Sequence, residues 1–533
     1  MRAHRSSWLL AVPTVCILFG VPASASEVAR PLPAAMQRTV EAVVPTLLAA
    51  KPLDADALRT FYEQRQFSPV WVDSTGLNAD GQVLLRAFAG AARDGLVPAD
   101  YEVPLAAANP NSPDQLATLE VDVSATLLRY ATDVRRGRAA PAKTDEGQRF
   151  EPRSIDPLQI LMDAASAPDK EAYVAVLAPG DPFYLGLRQA LDRYRAIAAA
   201  GGWPMIAPGG KLALGSTDPR VRDLRRHLQL SGDLAGESTE HTSAVYDEAV
   251  RQGVRRFQQR HGLAPSGVVD ATTFRELNVP VAMRIRQILI NLERARWLPE
   301  DLGDPYVIVN MAAFHLDVVE GGKPVLEMRV VVGERDKETP VFSDEISYIE
   351  INPYWNIPKS IAYKEKLPQL RRNPNALVAQ NIRVFGPQGE INPGSVDWTM
   401  VGASFPYRLR QDPGPRNSLG RIKFMFPNSY DVYLHDTPSR ALFNKQIRAF
   451  SHGCIRVEKP MELAEYLLQG KWSRQRIQTA VEAGKNRAIY LEKPVAVHLV
   501  YLTAWVDPNG QVQFRDDLYN RDALLVATLD AKR

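Results

Sequence analysis

The sequence predicts a multidomain α+β chain, helical in its first half and mainly β in its second. Apolar residues recur at helical spacing from residue 54 to about residue 200 and again from 211 to 280. From Tyr306 the recurrence changes to strand-like alternation broken by Gly- and Pro-containing turns. With 533 residues, 45% hydrophobic and 23% charged, the chain has material for about three or four packed domains. The expected order is a signal peptide at 1–25, a helical scaffold at 26–205 and a three-helix unit at 206–282. A helical linker at 283–303 follows, then a mainly β domain at 304–500 with an insertion at 362–410, and a C-terminal extension at 501–533.

The N-terminus has the make-up of an export signal. Arg2 and Arg5 supply positive charge, Trp8 to Val21 an apolar run, and Ala23-Ser24-Ala25 small residues suited to cleavage. The run falls short of the roughly 20 residues of a spanning helix, so no stable membrane span is expected once the signal is cleaved, retention of the segment as an uncleaved anchor being the alternative. Val15 is too large to precede a lipidated cysteine. Cleavage would remove Cys16 and leave Cys454 as the only cysteine of an exported protein. No intrachain disulfide can then form, and a lone thiol in an oxidising compartment is flagged as reactive. The formal net charge of +3 would fall to +1 with the loss of Arg2 and Arg5, a balance that does not point to nucleic acid.

In the scaffold, "GQVLLRAFAGAARDGL" places Val83, Leu84, Phe88 and Ala91 on one face. The stretch carries no chemical motif. In the three-helix unit, "TDPRVRDLRRHLQLSG" offers Asp218 as N-cap, Pro219 as first helical residue, and Val221, Leu224 and Leu228 as a stripe. "DEAVRQGVRRFQQRHGL" repeats the device with Val250, Val254 and Phe257, and Asp270 opens a third short helix. In the β domain, Phe314, Leu316 and Val318 alternate before the turn "EGGKP", and further strands are expected in "ISYIEINPYWNIP", "RIKFMFP" and "DVYLHD". Residues 362–410 read as a polar, Pro-rich, irregular insertion placed to cover a site.

Chemistry concentrates at "AFSHGCIRV". A cysteine nucleophile needs a partner that ionises it and donors aimed at the oxyanion of an acyl intermediate. Gly453 permits a tight turn that would point nearby amides at a carbonyl oxygen. Two histidines are candidates for the base. His452 shares a face with Cys454 only in an extended segment. His435 lies nineteen residues upstream and comes alongside if "SRALFNKQIRAF" folds back as a helix. The reading favours His435 and leaves His452 and Ser451 to hold the loop. Arg456 is placed to steer a carboxylate, to keep the thiolate ionised, or to form a structural salt bridge. Asp436 is expected in an exposed turn. The other histidines show no HExxH spacing, zinc signatures and phosphate loops are absent, and neither a metal nor a cofactor is expected.

"HDTPS" followed by "SHGCIRV" resembles the signature of L,D-transpeptidases with a YkuD-type catalytic domain, in which a histidine precedes Ser/Thr-His-Gly-Cys by a similar gap. "NLERARWLP", "INPYWNIP", "PGPRNSLGRIKFMFPN" and "YLTAWVDPNGQVQFRDDLY" are similar to the large YcbB-like periplasmic subgroup, and residues 211–280 resemble a peptidoglycan-binding domain. The resemblance implies a wall-associated periplasmic enzyme whose partners are peptidoglycan tetrapeptide stems, donor and acceptor, with wall-synthesis proteins as further candidate partners. Cys454 would attack after the third stem residue and release D-alanine, and an acceptor amine would complete a 3→3 cross-link. His435 would serve as base then acid, and the Gly453 and Cys454 amides as oxyanion hole. Tyr433, Trp355 and Asn417 lie in family motifs and would line the cleft. Carbapenems would acylate Cys454. Capture of the acyl group by water, giving an L,D-carboxypeptidase or endopeptidase, and a non-catalytic murein-binding protein are the alternative readings.

Overall fold

The computed structural model describes residues 31–50, 52–105, 112–140, 150, 153–235, 243–402 and 404–531. The expected signal at 1–25 and Cys16 lie outside them. The chain divides into two compact units: a first, running through Gly90 and then Pro98–Tyr130 and Ile155–Ala175, and a second made of Ala91–Val97, Ala131–Ser154 and everything from Val176 onward.

The first unit is helical, as its periodicity predicts. Phe61, Tyr62, Trp71, Leu84, Phe88 and Leu127 are buried in it, with Val83 half-buried at the edge of its stripe. The only strands described in this unit are the two-residue pair β1 (Val72–Asp73) and β2 (Gly76–Leu77). The turn leading into β1 is held by a buried carboxylate. Glu120 accepts from the amides of Val70, Trp71 and Val72 at 2.8, 2.7 and 3.1 Å and from the Tyr62 hydroxyl at 3.0 Å.

In the second unit, helices Arg220–Leu230, Glu248–Arg260 and Ala271–Leu277 enclose a core of Val221, Leu224, Leu228, Val250, Val254, Phe257 and Phe274. Asp247 and Asp270 cap the second and third helices by accepting from Val250 N and Thr273 N. The first begins one residue later than expected. Pro219 occupies the cap position, and Asp218 accepts from the Arg220 amide and guanidinium instead. Helix Val281–Ala295 carries "NLERARW", in which Asn291 exchanges hydrogen bonds with Thr503 and Arg294 reaches Asp522. That motif therefore anchors the C-terminal extension, whose β16 (Ala504–Val506) and β17 (Val512–Phe514) pair antiparallel and whose helix spans Arg521–Asp530.

The β domain is built on a nine-stranded sheet. Its strands are β3 (Tyr306–Asn310), β4 (His315–Glu320), β5 (Lys323–Gly333), β6 (Phe342–Ile351), β11 (Ile422–Met425), β12 (Leu434–His435), β13 (Ala449–Ser451), β14 (Ile455–Val457) and β15 (Arg487–Val500), in the order β13-β5-β14-β12-β11-β6-β15-β3-β4. The long β5 also pairs with β4 along its first half, closing the run from β5 to β4 and leaving β13 outside that closure. Phe314 lies in the turn before β4 at positive φ, so the alternation starts at Leu316.

Two expectations fail here. Residues 362–410 are not irregular. Between β7 (Trp355–Ile357) and β10 (Arg408–Gln411) the chain forms a π-helical turn Ala362–Lys366, a helix Leu367–Arg372, and β8 (Ile382–Gly386) with β9 (Gly389–Ile391). These complete a four-stranded sheet β7-β10-β8-β9 with its own core of Ile361, Leu367, Leu370, Val384, Trp398, Phe405 and Leu409. Prolines at the element edges hid the pattern. "SRALFNKQIRAF" is not a helix either; it makes only the 3-10 turn Arg440–Asn444 and then extends into β13.

Candidate active site

Strand register assembles the site. β12 and β14 run parallel with Leu434 opposite Ile455 and His435 opposite Arg456, and Ile455 N donates to Tyr433 O at 3.1 Å. Tyr433 thus stands beside Cys454, and His435 is its diagonal neighbour. β11 places Lys423 opposite His435 and Glu350 opposite Lys423. Because side chains alternate, Leu434, Ile455, Val457 and Phe424 fill the core while Lys423, Tyr433, His435, Cys454 and Arg456 share the other face.

The His435 ring is buried, and its Nδ1 donates to the Asp436 carbonyl at 2.5 Å. A carbonyl only accepts, so Nδ1 carries the proton and Nε2 keeps its lone pair. Burial, with the cations Arg456 and Lys423 nearby, pushes the imidazole down to about 3, so it is neutral at physiological pH. Cys454 is half-buried, and its Sγ faces the Asp431 carbonyl at 3.6 Å. Burial raises the thiol above its ordinary value; the Tyr433 amide and phenol and Lys423 pull it back down, while Asp431 adds to the rise. The Lys423 ammonium lies 3.8 Å from the Tyr433 ring centroid and is held low by burial, with Glu350 and Cys454 opposing. The Arg456 Nε is buried with no hydrogen-bond partner among the described residues, and Arg456 feels Cys454 as its opposing charge. The structural salt bridge left open for Arg456 is not seen among them.

Several expected roles change. The Gly453 amide is not open to an oxyanion, because it donates to Ser451 Oγ at 3.2 Å. The Cys454 amide has no acceptor among the described residues. Gly453 sits at φ +112°, a conformation only glycine adopts readily. His452 does not hold its own turn; its Nε2 pairs with Glu365 of the insertion. Asn417 does not line the cleft. It is buried, and its amide group donates to the carbonyls of Pro353 and Asp412 at 3.0 and 3.1 Å. Trp355 packs on the core of the insertion. Asp436 is not an exposed turn residue: its carboxylate accepts from Arg421 N at 2.8 Å. Lys423 was missed by sequence reasoning; its polar place in "RIKFMF" shows which face it takes but not which strand lies beside it.

His315, Asp317 and Glu327 bring ligand atoms within 4.8 Å of one another on the β4–β5 ladder, with His315 Nε2 already bound to Asp317 at 2.9 Å. Among the described residues no helix is long and apolar enough to cross a membrane.

Residues 304–481 match the YkuD family, described as an L,D-transpeptidase catalytic domain. Residues 217–277 match a family described as "Putative peptidoglycan binding domain", and 56–191 one described as "Scaffold domain". A "Putative L,D-transpeptidase" of Haemophilus influenzae (strain ATCC 51907 / DSM 11121 / KW20 / Rd) is 36% identical over 239 residues, 44% of this chain and 48% of the relative. The chain thus spans about half the length of that relative. The L,D-transpeptidase of Xylanimonas cellulosilytica DSM 15894 (residues 123-326) shares 16% identity over 55% of this chain and 99% of its own, with a TM-score of 0.19. The L,D-transpeptidase of Stackebrandtia nassauensis shares 14% over 55% and 97%, with a TM-score of 0.22. At such scores these structures carry no argument about this chain. Cys454 and His435 both lie inside the segment that matches the YkuD family of L,D-transpeptidase catalytic domains.

Proposed function

We propose that the chain is an exported, wall-associated, cysteine-dependent L,D-transpeptidase that forms 3→3 cross-links in peptidoglycan. The observation that carries this reading is the single sheet face that Cys454, with its open amide, shares with a neutral imidazole and two cations. The thiol is protonated at rest, so its proton must leave during attack. The Nε2 lone pair of His435 takes that proton as sulfur bonds to the carbonyl carbon of the third stem residue. Lys423 and Arg456 stabilise the negative charge on sulfur, and the Cys454 amide faces the oxygen. His435 returns the proton to the departing D-alanine amine, leaving a thioester. An acceptor stem's diaminopimelate amine then gives a proton to His435 and takes the acyl group, and the thiol is restored. The helical unit at 217–277 would retain the enzyme on the wall.

The test is mass spectrometry of muropeptides after incubating the mature protein with a disaccharide-tetrapeptide. Cross-linked dimers with release of D-alanine are expected, and Cys454→Ala should abolish them along with the carbapenem adduct on residue 454. Shortened stems without dimers would replace cross-linking by hydrolysis. Wall binding without either product would leave only a murein-binding protein.

A further inference from the structure

The C-terminal segment lies beyond the matched catalytic domain, yet hydrogen bonds connect it to the nucleophile's turn. Tyr519 Oη donates to the Gly333 carbonyl at 2.6 Å. Arg521 reaches one Glu338 oxygen through Nε and Nη2 at 3.0 and 2.6 Å and the Thr339 carbonyl at 3.4 Å. The loop held in this way closes tightly: a Cβ on Gly333 would lie 2.1 Å from the Lys337 carbonyl. Thr339 Oγ1 accepts from Gly333 N at 3.0 Å and donates to the Gly453 carbonyl at 2.8 Å. Glu334 N donates to Ser451 O at 3.0 Å. Tyr519, Arg521 and Thr339 are all buried.

The Gly453 carbonyl and the Cys454 N–H belong to one planar trans peptide, so they point in opposite directions. Holding the carbonyl inward on Thr339 therefore turns the Cys454 N–H outward, and Gly453, lacking a Cβ, would otherwise leave that peptide plane free to rotate. The C-terminal segment is itself rigid. Asp517 accepts from the amides of Arg521 and Asp522 at 2.9 and 2.8 Å and from the Tyr501 hydroxyl at 2.7 Å, and Tyr501 accepts from Tyr519 N at 2.9 Å.

We propose that Tyr519 and Arg521 are positioning residues which, through the 333–339 loop and Thr339, fix the Gly453–Cys454 peptide so that its N–H serves as oxyanion donor. This rests on the reading of Cys454 as an acylated nucleophile. The test uses the full chain and compares two reactions of Cys454. Alkylation by iodoacetamide develops no oxyanion, whereas acylation by a carbapenem does.

Thr339→Val is expected to alkylate within about twofold of wild type and to acylate about 10- to 100-fold more slowly, short of the roughly 10²–10³-fold lost when an oxyanion donor is removed outright, because the donor here is misaimed and not deleted. Thr339→Ser, which keeps the hydroxyl, should restore acylation. Tyr519→Phe and Arg521→Met should each slow acylation about 3- to 30-fold with alkylation unchanged, and combining either with Thr339→Val should add little. Equal loss in both reactions, or none in Thr339→Val, overturns the proposal. Loss in Thr339→Val with none in Tyr519→Phe, the milder of the two C-terminal variants, overturns the role of the C-terminal segment. A wild-type protein that alkylates but is never acylated would instead sink the underlying reading of the enzyme.

Discussion

Lys423 and His435 divide two tasks between them. An imidazole held near 3 cannot be the standing counter-ion of a thiolate, but it is an available base at every pH above that value. The standing positive charge comes from Lys423, stacked on the Tyr433 ring beside Cys454, together with Arg456. Alkylation of wild-type Cys454 should therefore rise with pH and reach its midpoint above the ordinary thiol value, since burial favours the protonated form. Lys423→Met should move that midpoint further up, because a neighbouring positive charge is removed, and Lys423→Arg should move it back. Gly453→Ala should fold but react slowly. The added methyl has space, with Glu338 O at 3.7 Å, but φ +112° is strained for alanine by about 1–3 kcal/mol. Cys454 and His435 stand out in the sequence as candidates because residue type and spacing mark them, and the β12–β14 register brings their strands side by side. The Gly453 amide was misjudged because its direction depends on a side-chain contact with Ser451 that spacing does not encode.

The insertion meets the Cys454 loop through Glu365, which pairs with His452 and lies 3.9 Å from Lys337. Both contacts are partly exposed, and such pairs contribute about 0–1 kcal/mol. Glu365→Ala should accordingly leave the unfolding midpoint almost unchanged while speeding amide exchange in Ala362–Lys366 and Leu367–Arg372. Unchanged exchange would show that the packing of Leu367 and Leu370, rather than this contact, sets the local order. At this scale the sequence was readable wherever a local rule sufficed. Asp247 and Asp270 cap helices as their positions predict, and the alternation from Leu316 marks a strand. It was unreadable where pairing is long-range. β12 and β13 are two and three residues long and exist only because β14 and β5 lie beside them.

Across the molecule, buried titratable groups give the two units opposite responses to pH. In the first, Glu120 is raised to about 7 by burial against several hydrogen bonds. The folded form therefore keeps a proton that the unfolded form loses, and stability is fully present below about 4.5 and lost as pH rises through 7. Denaturation followed by proteolysis should find this unit weaker at pH 8 than at pH 5, a difference that Glu120→Gln flattens. In the second unit His227 and His435 are lowered to about 3 and His261 is lowered as well, all chiefly by burial. Falling pH below about 6.5 therefore protonates the unfolded chain first and removes up to about 1.4 kcal/mol per pH unit for each histidine. The raised carboxyls of Asp181, Glu293, Asp436 and Asp517 offset part of that loss. The register of β7 on β10 bears on the same unit in another way. Ile357 stands opposite Leu409, so the excursion departs and returns at the two ends of one rung, about 5 Å apart. A two-residue reverse turn bridges that gap. The fold thus treats everything between Ile357 and Leu409 as an exchangeable cassette, and a splice there would remove β8 and β9 while leaving every pairing of the nine-stranded sheet in place.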